Sequence, residues 1–434
     1  GFIKVALALH TEEIPGTLHF KAPNPRFDLA HSPFEIVANR TPWPKTAAPR
    51  RGAVSSFGFG GTNVHAILEE APPQPPSGAG RTQQLLPLSA KTPAALERLR
   101  RQLSVWLGSH PDACLADVAY TLQVGRKALA YRDVVVAPDV TEAISRLVAT
   151  KPAPKTLNAI DPPVVFMFPG QGAQYANMGR DLYHGEPTFR HWMDRCCDLF
   201  RPHIERDLRD LLFPPQGQEA EADELLMDTG YTQPAMFAIE LSLARWWMSL
   251  GVQPTAVVGH SVGEFVGAHL SGVFTLEAVV PLVALRAKLI RELPRGSMLS
   301  VRCAAGKLDG QMPSDVQLAA ANGPELCVVA GPSESIASFA KHLEAKDIGA
   351  RLLHTSHAFH SAMMDPAVDA FRDALVRVAI GAPTIPFMST SLGAWVNSAE
   401  ELGPDYWSQH IRRPGLFSDA VAQLLTELDP PTVF

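Results

Sequence analysis

Ala256-Val257-Val258-Gly259-His260-Ser261-Val262-Gly263-Glu264 is the stretch on which the reading of this 434-residue chain turns. Ala256 to Gly259 is apolar without alternation, as expected of a strand covered on both faces. Gly259-His260-Ser261-Val262-Gly263 then fits Gly-x-Ser-x-Gly, a sharp strand-to-helix turn in which flanking glycines give clearance and the serine hydroxyl stands free at the strand's C-terminal end. Backbone N–H groups at the start of the following helix can stabilise a developing negative oxygen there. The pentapeptide alone arises by chance in long chains. Here a strand precedes it and a helical pattern follows, which is the context it needs. Two readings stand: a nucleophilic Ser261, or a structural turn.

Working outward, the pattern is α/β with parallel strands. Val164 to Phe168 is a second continuous apolar strand, Gln233 to Leu250 an amphipathic helix, and a further helix carries Leu285, Arg286 and Leu289. Residues of about 297–356 look like an insertion. Strands at Met298–Arg302, Val316–Ala320, Leu326–Ala330 and Ala350–Leu353, a short helix after Gly306 and a longer one over Ser333–Ala345 give the order βαββαβ, a ferredoxin-like unit. Before this lies a small α/β unit over about 84–155. It has strands at Leu86–Ala90 and Asp133–Val136, and a helix capped by Thr92 with Leu96, Leu99, Leu103 and Leu107 on one face. Ala71–Gly80 and Lys151–Lys155 have linker composition. Residues 1–75 hold an apolar opening helix, an extended Pro- and Asn-rich stretch near Asn24-Pro25-Arg26, and a glycine-rich segment from Ser55 to Glu70. Gly58, Gly60 and Gly61 there imply close backbone approach or positive φ beside a strand. Both chain ends look cut from a longer polypeptide.

Hydrophobic residues make up 46% of the chain and charged ones 19%, with a net charge of −6. This is a soluble globular balance without the basic face that nucleic acid or an anionic membrane would need. No apolar run is long enough to span a bilayer, and no signal-peptide pattern opens the chain. Five cysteines without metal-ligand spacing (Cys114, Cys196, Cys197, Cys303 and Cys327) point to a reduced, cytoplasmic protein. The sequon at Asn39-Arg40-Thr41 reads as chance in that setting. No metal site is apparent, and Gly170-Gln171-Gly172 lacks both a P-loop lysine and the third glycine of a dinucleotide fingerprint.

A serine hydroxyl needs a base to become a nucleophile. His269, His354, His357, His360 and His410 lie downstream, with His354-Thr355-Ser356-His357-Ala358-Phe359-His360-Ser361 the densest cluster; a polar surface loop is the other reading of it. No acid is clearly marked as a third member, and a backbone carbonyl is the alternative group to orient the base.

Four motifs in order resemble the malonyl-CoA:acyl-carrier-protein transacylase family in its polyketide synthase form. They are Phe168-Pro169-Gly170-Gln171-Gly172-Ala173-Gln174; Gly259 to Glu264; Arg286, 25 residues after Ser261; and His357-Ala358-Phe359-His360, with His360 99 residues after Ser261. The flanks resemble the same context: 1–75 the C-terminal end of a ketosynthase domain, and 76–160 the ketosynthase-to-acyltransferase linker domain, leaving 161–434 as the acyltransferase. The implied fold is α/β: a hydrolase-like parallel-sheet core with an inserted ferredoxin-like subdomain, preceded by a small α/β linker domain. The ketosynthase's own catalytic Cys and two His are absent, so no condensation is expected. His65 is expected to be a packed strand histidine.

The resemblance implies Ser261 as nucleophile and His360 as general base and acid. It further implies the backbone N–H groups of Gln171 and Val262 as oxyanion hole and Arg286 as the grip on a substrate carboxylate, with a carbonyl near Leu416, in Arg413-Pro414-Gly415-Leu416-Phe417, orienting His360. No prosthetic group is expected: a coenzyme A thioester is substrate, and phosphopantetheine arrives on an acyl carrier protein. Phe359 in His-Ala-Phe-His, Val262 after the serine, and Asp228 to Ala235 resemble the malonyl-selective type, which makes His357, Phe359 and Gln233 substrate-binding candidates. A ring at position 359 would crowd an α-methyl that serine in the methylmalonyl type leaves room for. Because one methyl discriminates by only about 1–3 kcal/mol, leakage to methylmalonyl is expected. The competing readings are a methylmalonyl or starter-unit loader, an α/β serine hydrolase, and a non-catalytic scaffold; Arg286 argues against the last three.

Overall fold

Apolar residues without polar alternation leave a strand no solvent face, and Ala256–Gly259 is buried at every position. In this computed structural model, which describes residues 1–26, 28–72, 78, 80–149, 162–428 and 432–434, that strand lies inside a parallel sheet. Among the elements of this unit, in chain order, are β1 (Val165–Phe168), α1 (Thr229–Ser249), β2 (Ala256–Gly259), α2 (Gly263–Leu270), α3 (Leu276–Arg291), β3 (Ser297–Val301), β4 (Gln317–Gly323), β5 (Leu326–Gly331), α4 (Ser333–Glu344), β6 (Ala350–Leu352), β7 (Phe387–Ser389), β8 (Ala394–Trp395), α5 (Pro404–Gln409) and α6 (Phe417–Glu427), with further helices, Pro187–Phe200 and Asp365–Leu375 the longest, packed around them. The larger sheet has the order β8-β7-β2-β1, parallel except for the β7–β8 pair. Val433 adds a parallel bridge to Val164, so the strand-like end of the sequence does join this sheet.

The insertion forms its own sheet in the order β4-β5-β3-β6, antiparallel throughout, which is the ferredoxin-like order. The expected short helix after Gly306 is one 3₁₀ turn, Ala305–Leu308. A parallel bridge from Ala320 to Gly415 ties this sheet to the C-terminal segment, so the insertion roofs the C-terminal end of β2.

The helix expected at Gln233–Leu250 differs from its reading. It begins at Thr229, with the Asp228 carboxylate accepting from Gly230 N–H, and carries Pro234 inside. It is not amphipathic in its first half: Tyr231 to Ser242 is buried without interruption. Polar Thr229, Thr232 and Gln233 there face other polar groups inside the protein, a demand that a 3.6-residue apolar pattern does not register.

In the N-terminal regions, the Phe2–Thr11 helix packs near a hairpin of Arg51–Phe57 and Asn63–Glu69, whose tip holds Gly58 to Gly61. His65 is on the second hairpin strand but exposed rather than packed, with Nδ1 2.8 Å from Ser55 Oγ. The expected α/β unit has strands Gln84–Ala90 and Tyr131–Ala137 paired antiparallel. Its helix Pro93–Ser109 is capped by Thr92, whose Oγ1 accepts from Ala95 N–H, and Leu96 and Leu107 are buried. The Lys151–Lys155 linker and most of Ala71–Gly80 lie outside the described residues. No helix among the described residues is long and apolar enough to cross a membrane.

Candidate active site

The turn after β2 is dictated by crowding. A Cβ at Gly259 would lie 2.2 Å from Glu264 N, and one at Gly263 would lie 2.3 Å from Phe168 O. Glycine alone fits both places, and the tight packing forces Ser261 into the left-handed region at φ 53°. Its hydroxyl therefore stands at the carboxyl end of the sheet, the usual place for a ligand in a parallel α/β fold.

His360 reaches that hydroxyl from the loop after β6. Its Nε2 lies 2.9 Å from Ser261 Oγ and its Nδ1 2.8 Å from the Arg413 carbonyl. A carbonyl only accepts, so Nδ1 carries the proton and Nε2 is left to receive one from serine. The orienting carbonyl is thus Arg413, the first residue of the Arg413–Phe417 segment near Leu416 in which it was expected, while Leu416 N–H donates to Thr390 O at 2.6 Å. His360 also has positive φ, 58°. Burial holds its pKa down to about 3, helped by the charges of Arg286 and His260, against hydrogen bonds to the Arg413 and His410 backbone. The ring is neutral at pH 7.

Arg286 on α3 is 1% exposed. Nη2 donates to Ser261 Oγ at 3.2 Å, Nη1 donates to Gln233 Oε1, and Nε has no hydrogen-bond partner among the described residues. No carboxylate among the described residues lies within ion-pair distance, although Glu264 is near enough to support the charge. Burial lowers the guanidinium pKa to about 10. A polar chain extends from it: Gln233 Nε2 donates to Thr229 Oγ1 at 2.8 Å, which donates to Gln171 Oε1 at 3.0 Å. This chain orients Gln233 and leads back to the residue whose backbone N–H was expected in the oxyanion hole.

A cavity of ≈150 Å³ joins Gln171, Gln233, Ser261, Val262, Arg286, Phe359 and His360 with residues of the roofing sheet, among them Met298 and Val328. The backbone N–H groups of Gln171 and Val262 bind no other group among the described residues. His357 is not brought to this cavity. Its Nε2 lies 3.1 Å from Leu293 O and its Nδ1 2.8 Å from Ser356 Oγ, and it lines a neighbouring cleft with Asp228, Arg291 and Arg295. Thr355 touches both spaces.

Several residues here take places that the sequence does not assign them. His260 Nε2 sits 3.1 Å from Asn322 Oδ1, and both line the cavity. Glu264, fully buried, binds Thr390, Ser391 and Tyr406. His410, one of the five candidate bases, is buried 6.2 Å from the His360 ring centroid, edge to face. Glu264 closes the quoted motif, so a signal existed for it; its partners lie 126 and more residues away.

Fold and site thus bring a serine hydroxyl, a histidine ring and a buried guanidinium together at the carboxyl end of a parallel sheet in an α/β fold. The acyl transferase domain family matches residues 165–434, and the CurL-like, PKS C-terminal family matches 84–147. The chain belongs to the acyl transferase domain family, in its polyketide synthase form. Among its curated relatives is a component of the phenolphthiocerol/phthiocerol polyketide synthase of Mycobacterium tuberculosis, 35% identical over 460 aligned residues, covering 99% of this chain and 30% of that protein. The acyl transferase domain of ZmaA superposes with a TM-score of 0.75 at 33% identity, over 80% of this chain and 81% of that one. The malonyl CoA-acyl carrier protein transacylase of Burkholderia pseudomallei gives 0.53 at 27% identity, over 61% and 89%. The chain therefore spans under a third of the multidomain curated relative it resembles.

Proposed function

We propose that this chain transfers malonyl units from malonyl-CoA to the phosphopantetheine thiol of an acyl carrier protein, by way of a malonyl-Ser261 ester. The observation that carries this reading is Arg286: a buried guanidinium with no carboxylate partner of its own among the described residues, 3.2 Å from the serine hydroxyl. A plain hydrolase or an acetyl loader has no use for such a group, whereas a free carboxylate on the acyl chain completes it.

In this scheme Ser261 Oγ attacks the thioester carbon while His360 Nε2 takes the hydroxyl proton. The backbone N–H groups of Gln171 and Val262 receive the oxyanion. The C–S bond breaks, and His360 returns its proton to the leaving CoA thiol. The carrier thiol then gives its proton to His360 and attacks the ester, and serine leaves with that proton. A carboxylate on Arg286 also neutralises a charge that depresses His360, so binding the right acyl group strengthens the base. Coenzyme A and phosphopantetheine are substrates here, with no resident cofactor. Phe359 in the cavity wall favours malonyl over methylmalonyl. Residues 1–75 and 76–160 are read as ketosynthase remnant and linker domain, the partners as a ketosynthase and a carrier protein, and the compartment as the cytoplasm. The relationship to the Burkholderia transacylase supports the substrate class.

Intact-mass spectrometry after brief incubation with malonyl-CoA, and in parallel methylmalonyl-CoA, tests the reading. A malonyl adduct on the native chain, absent in Ser261→Ala and outcompeting methylmalonyl, is expected. A folded chain that takes neither acyl group would remove it.

A further inference from the structure

We propose that Glu264 is the positioning residue of the Ser261–His360 pair, acting through both halves of the site at once. The inference rests on the reading of Ser261 and His360 as nucleophile and base. Glu264 lies in the first turn of α2, three residues after Ser261, and is completely buried. Its Oε1 accepts from Thr390 N–H at 2.6 Å and Ser391 N–H at 3.2 Å, just past the end of β7. Thr390 Oγ1 lies 2.6 Å from the same oxygen and 2.9 Å from Gly259 O, the last residue of β2. Oε2 accepts from Tyr406 O–H on α5, a hydroxyl that is also 2.7 Å from Ser389 Oγ.

These contacts define the frame of the pair. On one side the carboxylate fastens the turn that carries Ser261 and the Val262 N–H to the tip of the neighbouring strand. On the other it fastens α5, and from α5 the chain runs directly to the carbonyl that holds His360. Arg413 N–H donates to Gln409 O at 2.8 Å, so the Arg413 peptide is anchored on the last turn of α5. The far end of that segment is held at Leu416, whose N–H donates to Thr390 O. His410 Nε2 stands 3.5 Å from Glu264 Oε2, and its ring packs against His360. One carboxylate therefore sets where the nucleophile stands and where the Arg413 carbonyl stands, and the 2.9 Å between serine and histidine is the difference of those positions.

A buried carboxylate is costly where apolar packing would serve, and its presence at this spot requires that its hydrogen bonds be made. Three donors on one oxygen and a phenol on the other answer that need. A role in folding alone would not require the same group to link both reacting residues.

The test uses a fluorophosphonate, which reports the pair without any acyl donor: Ser261 Oγ bonds to phosphorus, fluoride leaves, and His360 takes the proton. Labelling is followed by intact mass in the whole chain, in Glu264→Gln, Glu264→Asp and Tyr406→Phe. The amplitude reports the folded fraction and the rate constant reports the geometry of the pair. Misplacement by about 1 Å can cost about 10²-fold, so a fall of about tenfold or more in rate constant at full amplitude is expected for Glu264→Gln. A smaller fall is expected for Tyr406→Phe, and Glu264→Asp, which keeps the charge, should lie between wild type and Gln. The same variants should lower kcat for malonyl transfer with KM nearly unchanged. An unchanged rate constant in Glu264→Gln, whatever happens to amplitude or Tm, overturns the proposal. If that variant does not fold, Tyr406→Phe decides alone, and an unchanged rate there overturns it. A wild-type chain that labels at Ser261 yet takes no malonyl would sink the loading reading and leave this comparison decisive. A wild-type chain that does not label at Ser261 sinks both.

Discussion

Arg50 and Arg286 are both buried guanidiniums, and they sit in opposite electrostatic circumstances. Arg50, 5% exposed in the N-terminal region, holds two carboxylates, Glu12 at 2.9 Å and Glu70 at 2.5 Å, and its Nε donates to the Trp43 carbonyl. Arg286, 1% exposed, holds an amide oxygen and a serine hydroxyl and leaves Nε without a partner among the described residues. A buried charge that the protein itself has paired is architecture. A buried charge left without a carboxylate among the described residues, beside a serine hydroxyl, is what the proposed reading fills with the substrate's carboxylate.

That contrast is open to experiment. The largest effect should come from Arg286→Gln, which keeps polarity and removes charge: kcat/KM for malonyl-CoA should fall by about 10²–10³-fold, since charge-assisted hydrogen bonds contribute about 1.5–3 kcal/mol each. Acetyl-CoA, which lacks the carboxylate, should be affected far less in single-turnover acylation. Equal losses for both donors would mean Arg286 serves the serine alone. Phe359→Ser should move the malonyl-to-methylmalonyl preference by about tenfold towards methylmalonyl in a competition assay, within the range one methyl allows. An unmoved ratio would take the ring out of the specificity argument.

The acid response should be smaller and gradual. His360 is held down to about 3 and His269 to about 4, with His260 and His410 lowered as well, all by burial first. Between those values and about 6.5 the unfolded chain binds more protons than the folded one, so stability rises with pH across that window and is fully present above it. Tm measured by calorimetry should fall steadily below about pH 6.5, and a flat Tm down to pH 4 would contradict the buried, neutral histidines. The smallest effect belongs to Arg50→Met. It should lower the Tm of the N-terminal region by stranding Glu70 while leaving the rate of Ser261 acylation unchanged, whereas a matching loss of acylation would show that the two regions are coupled.

Much of the site was legible because its geometry is local. The Gly259–Gly263 turn, the strand before it and the helix after it are set by clashes between neighbouring residues, and their reading matches the structure residue for residue at Ala256–Gly259. The ferredoxin-like insertion was legible for the same reason, as strand and helix periods are written in consecutive residues. The first half of α1 reads wrongly as amphipathic because its polar residues answer to partners in the site and not to water. His357 looks equivalent to Phe359 in sequence, yet its ring is taken up by Leu293 O and Ser356 Oγ outside the cavity.

The sequence by itself determined the serine turn, the apolar strands, the two sheets and, through the family's motifs, the pairing of Ser261 with His360 and Arg286. Only the tertiary structure decided that Arg413 supplies the orienting carbonyl, that Arg286 lacks a carboxylate among the described residues, and that Glu264 ties the serine turn to the strap that holds the histidine. The physical reason is range: backbone sterics and hydrophobic period act within a few residues, whereas the partners of a buried charge are whatever the fold brings to it, here from 126 to 142 residues away.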